Sequence, residues 1–199
     1  MLTFTLAVLF LVATPGPGVL STAGVGAAYG FRPGLAYVSG LFIGTNMVAL
    51  AVITGLSAIV LSVPVVRYVL MAASIGYLLY LAAKIAFAGS RIAFIEAKSA
   101  PGLVQGVLLQ AINPKAYTVN TALFTGFPYA PDNLLFETLS KLVIVNAIWI
   151  PVHLGWLWAG VALHRLDLPE RRHRQINYAM AAAMLLVVAL AILSTWGKK

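Results

Sequence analysis

Residues 33–66 read PGLAYVSGLFIGTNMVALAVITGLSAIVLSVPVV, and no side chain in this segment is charged. A helix that crosses a bilayer needs about 20 consecutive apolar residues. Residues 1–31 are also free of charged side chains, and further apolar segments fit spans over 68–88, 103–127, 139–163 and 176–196. These runs are continuously apolar and do not alternate with a period of two, which favours helices over a barrel. The sequence therefore predicts an all-α integral membrane protein with six transmembrane helices.

The overall composition favours lipid as the solvent of this chain. Hydrophobic residues make up 61% of it and charged residues 9%, with a mean hydropathy of +0.95. Ordinary soluble domains carry roughly 25% charged residues, and a soluble fold of 199 residues has too much surface to hide this much apolar area. The first residues lack the basic region of a signal peptide, so we expect a retained first helix.

The charge distribution predicts a membrane orientation. The formal net charge is +8, but the bases lie in short loops beside apolar spans, which indicates contact with a membrane surface and no nucleic-acid partner. The positive-inside rule places the first, third and fifth loops in the cytoplasm and both termini outside. The bases that decide this are Arg32, Arg91, Lys98, Arg165, Arg171, Arg172 and Arg174, while Lys198 and Lys199 favour the opposite orientation.

Two of the six predicted helices are interrupted. Thr14-Pro15-Gly16-Pro17 breaks the first and Asn113-Pro114-Lys115 the fourth, each near mid-bilayer at a rise of about 1.5 Å per residue. We expect residues 1–199 to form a single domain of two three-helix repeats, about 2–90 and 101–197. An odd number of helices per repeat inverts the second relative to the first. Interrupted helices at matching places in inverted repeats indicate the binding site of a transporter, although one break alone would be common in membrane helices.

The breaks also predict a type of ligand. Proline has no N–H, so Pro15, Pro17 and Pro114 deprive the carbonyls four residues earlier of their helical partners. Thr14 and Asn113 are good N-cap residues and each precedes a proline. We therefore expect each break to begin a new half-helix, whose free N–H groups and positive dipole end favour an anion. Two such ends together predict a carboxylate site.

Together with Gly76-Tyr77-Leu78-Leu79-Tyr80-Leu81, the two interrupted segments resemble the LysE/RhtB family of bacterial amino-acid exporters of the homoserine, threonine and lysine efflux type. The resemblance implies efflux of amino acids or close derivatives across the inner membrane, coupled to the proton gradient. It also implies that the two interrupted segments line the pathway. The family often has Asn where this chain has Gly18, and a glycine-rich last helix where this chain is alanine-rich, so the substrate stays open.

Two titratable residues within the spans are further candidates. Lys115 is an ionisable group at membrane depth, which favours a functional role over snorkelling or a structural contact with carbonyls of the first helix. His153 titrates in the range that suits proton coupling. Packing beside Trp149 and Trp156 explains His153 equally well.

Asn46, Tyr77 and Tyr117 complete the predicted substrate site. Asn46 follows Thr14 by 32 positions and Asn146 follows Asn113 by 33, counted along the sequence. A hydrogen bond between helices explains both asparagines as well as substrate contact does. All acidic residues fall in loops or at span ends, so we expect the substrate amine to meet carbonyls, hydroxyls or aromatic faces such as Tyr77 and Tyr117.

The remaining features narrow the function classes. The chain has no cysteine and no acidic cluster, so we expect no metal site and no cofactor. It also lacks a Gly-x-Ser-x-Gly nucleophile motif, and we do not expect an enzyme. Pairs such as Gly26/Gly30, Gly40/Gly44 and Gly102/Gly106 favour close helix packing and allow a homodimer. The alternatives to an amino-acid exporter are a channel or exporter for another small metabolite or anion, and a membrane subunit without transport activity.

Overall fold

The computed structural model describes residues 1–14, 16–87 and 100–165, together with residues 169, 171–172, 174–179, 181–182, 185–186 and 189. Regular structure in these residues is helical throughout. The helices are α1 (Leu2–Ala13), α2 (Pro17–Tyr29), α3 (Phe31–Ile53), α4 (Leu56–Ser62), α5 (Pro64–Ala86), α6 (Leu103–Ile112), α7 (Pro114–Gly126) and α8 (Leu134–Arg165). Pro15, Arg91, Lys98 and most of the predicted span 176–196 lie outside the described residues.

Three described helices are long and apolar enough to cross a membrane, namely Phe31–Ile53, Pro64–Ala83 and Leu134–Leu163. Helices α1 and α2 meet at 49° and supply a fourth crossing if the bent pair is one span. Helix α6 is apolar but shorter. The described part of the chain therefore fits an all-α membrane protein and provides three or four of the six predicted spans.

The two predicted breaks are present and divide their helices alike. Helix α1 has 12 residues and α6 has 10, and each precedes a half-helix of 13 residues, α2 and α7. Proline is the first residue of both half-helices, where its missing N–H would have had no helical partner. The positions of the two interruptions were thus predicted correctly from the sequence.

Two glycines make the sharp turns around α3 and α4. Gly30 alone separates α2 from α3 and has a φ of 81°, and Gly55 precedes α4 with a φ of 75°. A side chain with a Cβ rarely adopts such angles, whereas glycine does so without steric penalty. The turn at Gly30 lets α3 fold back directly after α2.

Glycines also allow the closest helix contacts, between α3 and α6 and between α2 and α8. A Cβ on Gly40 would overlap the carbonyl oxygen of Leu103, and one on Gly160 would overlap that of Ala23. A Cβ on Gly26 would stand 2.8 Å from the Leu157 carbonyl oxygen. The close packing predicted from glycine spacing is confirmed at Gly26, Gly40, Gly44 and Gly106, within one chain, but not at Gly30, which makes a turn, or at Gly102.

Candidate functional site

The first break lies between the end of α1 at Ala13 and the start of α2 at Pro17, with Thr14 and Gly16 flanking the two helices. Thr14 directs both its N–H and its hydroxyl back to the carbonyl of Phe10, at 3.0 and 2.5 Å. Gly16 is the residue that precedes α2, and no side chain caps this helix. The prediction that Thr14 is an N-cap is therefore wrong, because its hydroxyl closes the last turn of α1 instead. The N-terminus of α2 carries N–H groups without a capping side chain.

The second break is capped as predicted. Asn113 Oδ1 accepts a hydrogen bond from the Lys115 N–H at 3.1 Å, and the Asn113 carbonyl accepts one from Ala116 at 3.0 Å. The carbonyl of Gln110, which loses its helical partner at Pro114, accepts the N–H of Asn113 at 3.2 Å. The first amides of α7 are thus satisfied within the helix, so α7 contributes the ammonium of Lys115 rather than free N–H groups.

Lys115 connects the two breaks. Its Nζ donates a hydrogen bond of 2.6 Å to the carbonyl oxygen of Thr14. The side chain lies in the space that Gly16 leaves open, since a Cβ there would stand 2.8 Å from Lys115 Cδ and 2.9 Å from Nζ. A structural contact with carbonyls of the first helix was one of the two interpretations of Lys115 from the sequence, and this hydrogen bond is such a contact. An ammonium has three N–H donors, so this contact leaves donors for a ligand.

A cavity opens beside this contact. The space between its walls is about 520 Å³, a figure that includes open space on its exposed side. The polar part of its lining consists of Thr14, Thr45, Gln110, Asn113, Lys115, Asn120 and His153. The apolar part comprises Leu11, Val12, Val19, Ala116, Val119, Leu123, Val145 and Trp149, and Gly16 and Gly18 complete it. The described lining therefore combines one ammonium and one imidazole with amides and hydroxyls, and no carboxylate belongs to this described set.

His153 lies in α8 and is almost fully buried at the cavity wall. Its Nδ1 lies 3.0 Å from the Trp149 carbonyl oxygen, and its ring stacks on the Trp149 indole with centroids 3.6 Å apart. A Cβ on Gly18 would stand 3.4 Å from His153 Nε2. The packing interpretation of His153 is thus correct for one edge of the ring, while the other edge faces the cavity lining.

Five predicted site residues of the described chain do not line this cavity. Asn46 pairs with Asn146 through two hydrogen bonds of 3.0 Å, which is the helix-to-helix contact considered as an alternative. The hydroxyl of Tyr77 donates to the Gln105 carbonyl at 3.0 Å, and that of Tyr117 donates to the Ala111 carbonyl at 2.8 Å. Pro17 and Pro114 begin the half-helices without lining the cavity.

Sequence reasoning missed several residues of the lining. Gln110, Asn120 and Thr45 are at most 8% exposed, and all three line the cavity together with Trp149. A signal was present, because uncharged polar residues within apolar spans indicate contacts inside the bundle. Their order along the sequence did not reveal that they converge on the two breaks.

A buried ion pair was also missed. Lys141 is 1% exposed, and its Nζ lies 2.7 Å from Glu137 Oε1 and 5.5 Å from the centre of the Phe4 ring. Glu137 Oε2 accepts the N–H groups of Tyr129 and Ala130 at 2.9 and 2.6 Å. Glu137 precedes Lys141 by four residues, the spacing at which opposite charges pair on one helix face, so the sequence did contain a signal for this ion pair.

This ion pair lies beyond one end of the cavity. Phe4, which contacts Lys141, packs in one apolar cluster with Val8, Leu123 and Val145. Leu123 and Val145 line the cavity as well. The apolar cluster therefore separates the cavity from the ion pair.

Comparison with known proteins agrees with the motifs. The profile of the family described as LysE type translocator matches residues 9–195. The leucine efflux protein of Klebsiella pneumoniae is 28% identical over 132 residues, an alignment that covers 63% of this chain and 62% of that protein. No solved structure matches. The resemblance inferred from the two interrupted segments is confirmed: the chain belongs to the LysE family of translocators, which are transporters and not enzymes.

Proposed function

We propose that this chain is a secondary-active exporter of amino acids or close derivatives across the bacterial inner membrane. The family supports export, and a relative described as a leucine efflux protein supports an amino-acid substrate. The cavity has the mixed polar and apolar lining of a small-molecule site. The proposal assumes that residues 1–199 form a single transporter domain in which the two interrupted helices line one central cavity.

The observation that carries the proposal is the hydrogen bond from Lys115 Nζ to the Thr14 carbonyl at the cavity wall. It brings the two helix breaks together, one from each half of the sequence. The α2 N-terminus beside it has no capping side chain, and Gly18 and Val19 of its first turn line the same cavity. We assign the substrate carboxylate to the space between Lys115 and this N-terminus, where an ammonium and a helix dipole both favour an anion.

We also propose that the complete protein has six transmembrane helices in two inverted repeats. The order α1, α2, α3 matches the order α6, α7, α8, with a half-helix of 13 residues in the middle of each set. The long helix of each set packs on the broken pair of the other: α3 contacts α6 and α7, and α8 contacts α1 and α2. Rocking of one repeat against the other would then expose the cavity to each side of the membrane in turn.

Uptake into inside-out membrane vesicles tests the proposed function. Vesicles with and without the protein would receive a panel of radiolabelled amino acids, beginning with leucine, with an acidic interior and again after an uncoupler. We expect uptake that requires both the protein and the proton gradient. Uptake of small anions but of no amino acid would favour the alternative metabolite channel or exporter. No uptake of any kind would favour a subunit without transport activity.

A further inference from the structure

The imidazole of His153 has a defined tautomer. A carbonyl oxygen can only accept a hydrogen bond, so the contact of 3.0 Å between Nδ1 and the Trp149 carbonyl requires a proton on Nδ1. In the neutral ring Nε2 then carries a lone pair and is an acceptor. Stacking on Trp149 at 13° between the ring planes fixes the direction in which Nε2 points.

The lone pair of Nε2 is directed at the start of α2. Gly18 leaves this side of the ring uncovered, since a Cβ there would stand 3.4 Å from Nε2. Both Gly18 and His153 line the cavity. Within the described part of the chain, no donor is paired with Nε2. An acceptor that is open to a cavity and has no donor from the protein is a place where a ligand N–H gains a hydrogen bond.

Other acceptors around the breaks already receive hydrogen bonds from the protein. Gln110 Oε1 accepts from Asn113, and Asn113 Oδ1 accepts from Lys115. The Thr14 carbonyl accepts from Lys115, and the Gly18 carbonyl accepts from two hydroxyls of α2. Among the residues that the structure describes, no carboxylate lines the cavity. Of the amide and imidazole groups in the described lining, His153 Nε2 and Asn120 Oδ1 are left without a donor from the protein, and the imidazole nitrogen is the more basic of the two.

We propose that His153 Nε2, uncovered by Gly18, binds the α-ammonium group of the substrate. This subsite rests on the proposed function, because it assumes an α-amino acid whose carboxylate lies at Lys115. It replaces the aromatic faces of Tyr77 and Tyr117, which the sequence suggested for the amine. It also gives His153 a role in substrate selection that does not require the ring to carry a proton.

The two subsites lie beside the same short stretch of α2 and its N-terminus. Lys115 Nζ lies against Gly16 and His153 Nε2 lies against Gly18, so the two groups flank the segment Gly16–Gly18. The Cα atoms of two residues separated by one are at most about 7 Å apart. The proposal places the carboxylate and the ammonium of one amino acid along this stretch, with the carboxylate at Lys115 and the ammonium at His153.

Binding of leucine and isocaproate to the purified protein in detergent tests the subsite. Isocaproate is leucine without its α-amine, so it retains the carboxylate and the apolar side chain. We expect the wild type to prefer leucine. His153→Leu should weaken leucine binding by about tenfold or more, the worth of one hydrogen bond to a charged group, and leave isocaproate binding unchanged. His153→Gln should retain most of the preference, because its amide oxygen is an acceptor that does not titrate.

A second pair of variants approaches the same subsite from α2. Gly18→Ala adds a methyl group at ordinary contact distance from Nε2, so the fold should persist while leucine binding weakens and isocaproate binding does not. Gly155→Ala, in α8 with nothing within 4 Å of the added Cβ, is the matched control and should bind both ligands normally.

The outcomes separate this proposal from the proposed function. If the wild type binds leucine and His153→Leu keeps the wild-type preference, the subsite is overturned and the exporter proposal stands. Equal loss of preference in the Gln and Leu variants would mean that a proton on the ring is required, which also overturns the subsite. If the wild type binds neither leucine nor any other amino acid of the panel, both proposals fall together.

Discussion

The side-chain amides of Asn46 and Asn146 face each other and exchange two hydrogen bonds, each of 3.0 Å between Nδ2 and Oδ1. Asn46 belongs to α3 and follows Thr14 by 32 positions along the sequence. Asn146 belongs to α8 and follows Asn113 by 33 positions. Reciprocal contacts between equivalent residues are the mark of a two-fold axis that passes between them. The pair therefore supports the proposed relation between the two halves, and it links their two long helices.

A double-mutant cycle on this pair gives the first prediction. Either Asn46→Ala or Asn146→Ala leaves the other amide without its partner, so the double variant should lose less stability than the two single losses added. We expect a coupling of about 0.6–1.7 kcal/mol, as measured for hydrogen bonds between membrane helices. Denaturant unfolding in detergent measures it. Asn46→Ala combined with Thr125→Ala, whose hydroxyl bonds within its own helix, should be additive. Additivity of the asparagine pair would contradict the contact.

Replacement of Lys115 by methionine should abolish export while the protein still inserts. Methionine keeps much of the side-chain length but removes the ammonium that bonds the Thr14 carbonyl and faces the cavity. Uptake into inside-out vesicles and the amount of protein in the membrane are the two measurements. Thr118→Ala, an exposed position in the same helix whose hydroxyl bonds the Pro114 carbonyl, should transport normally. Normal transport by Lys115→Met would remove this residue from the substrate site.

Alanine at position 16 should impair transport without unfolding the protein. The added Cβ would stand 2.8–2.9 Å from Lys115 Cδ and Nζ, and the flexible end of the lysine side chain can move away. The ammonium then loses its place between the breaks, so we expect a higher KM and little change in Tm. Gly126→Ala adds a Cβ with nothing within 4 Å and is the control. Wild-type KM in Gly16→Ala would mean that the position of Lys115 does not govern binding.

The sequence revealed the interruptions because they depend on local chemistry. Proline cannot donate a helical hydrogen bond, and Asn113 is a residue type that caps α7 whatever packs around it. Thr14 was assigned the wrong role because a threonine hydroxyl can bond forwards as a cap or backwards to the preceding turn. The backward bond to Phe10 forms in this chain, and Gly16 precedes α2 instead.

The lining of the cavity was harder to predict because it depends on which helices pack together. Gln110, Asn120 and Thr45 come from α6, α7 and α3, and they converge because α3 packs on the broken pair α6 and α7. Tyr77 and Tyr117 were plausible amine contacts by residue type alone. Their hydroxyls bond to the carbonyls of Gln105 and Ala111 outside the cavity lining, which no local pattern indicates.

The buried pair of Glu137 and Lys141 supports a last prediction, about stability. Glu137→Gln removes the negative charge that pairs with the Lys141 ammonium, and when the glutamine oxygen keeps the N–H groups of Tyr129 and Ala130, the acceptor left for the ammonium in the described residues is the Phe124 carbonyl at 3.4 Å. Removing one partner of a buried pair is strongly destabilising, whereas neutralising both is often harmless. The double variant Glu137→Gln with Lys141→Met has no charge to bury, and its glutamine oxygen can still accept the N–H groups of Tyr129 and Ala130. We therefore expect its Tm in detergent to lie above that of Glu137→Gln alone, so that the second substitution rescues the first. A double variant less stable than Glu137→Gln would show that Lys141 stabilises the protein through the rings of Phe4 and Tyr129 more than through the carboxylate.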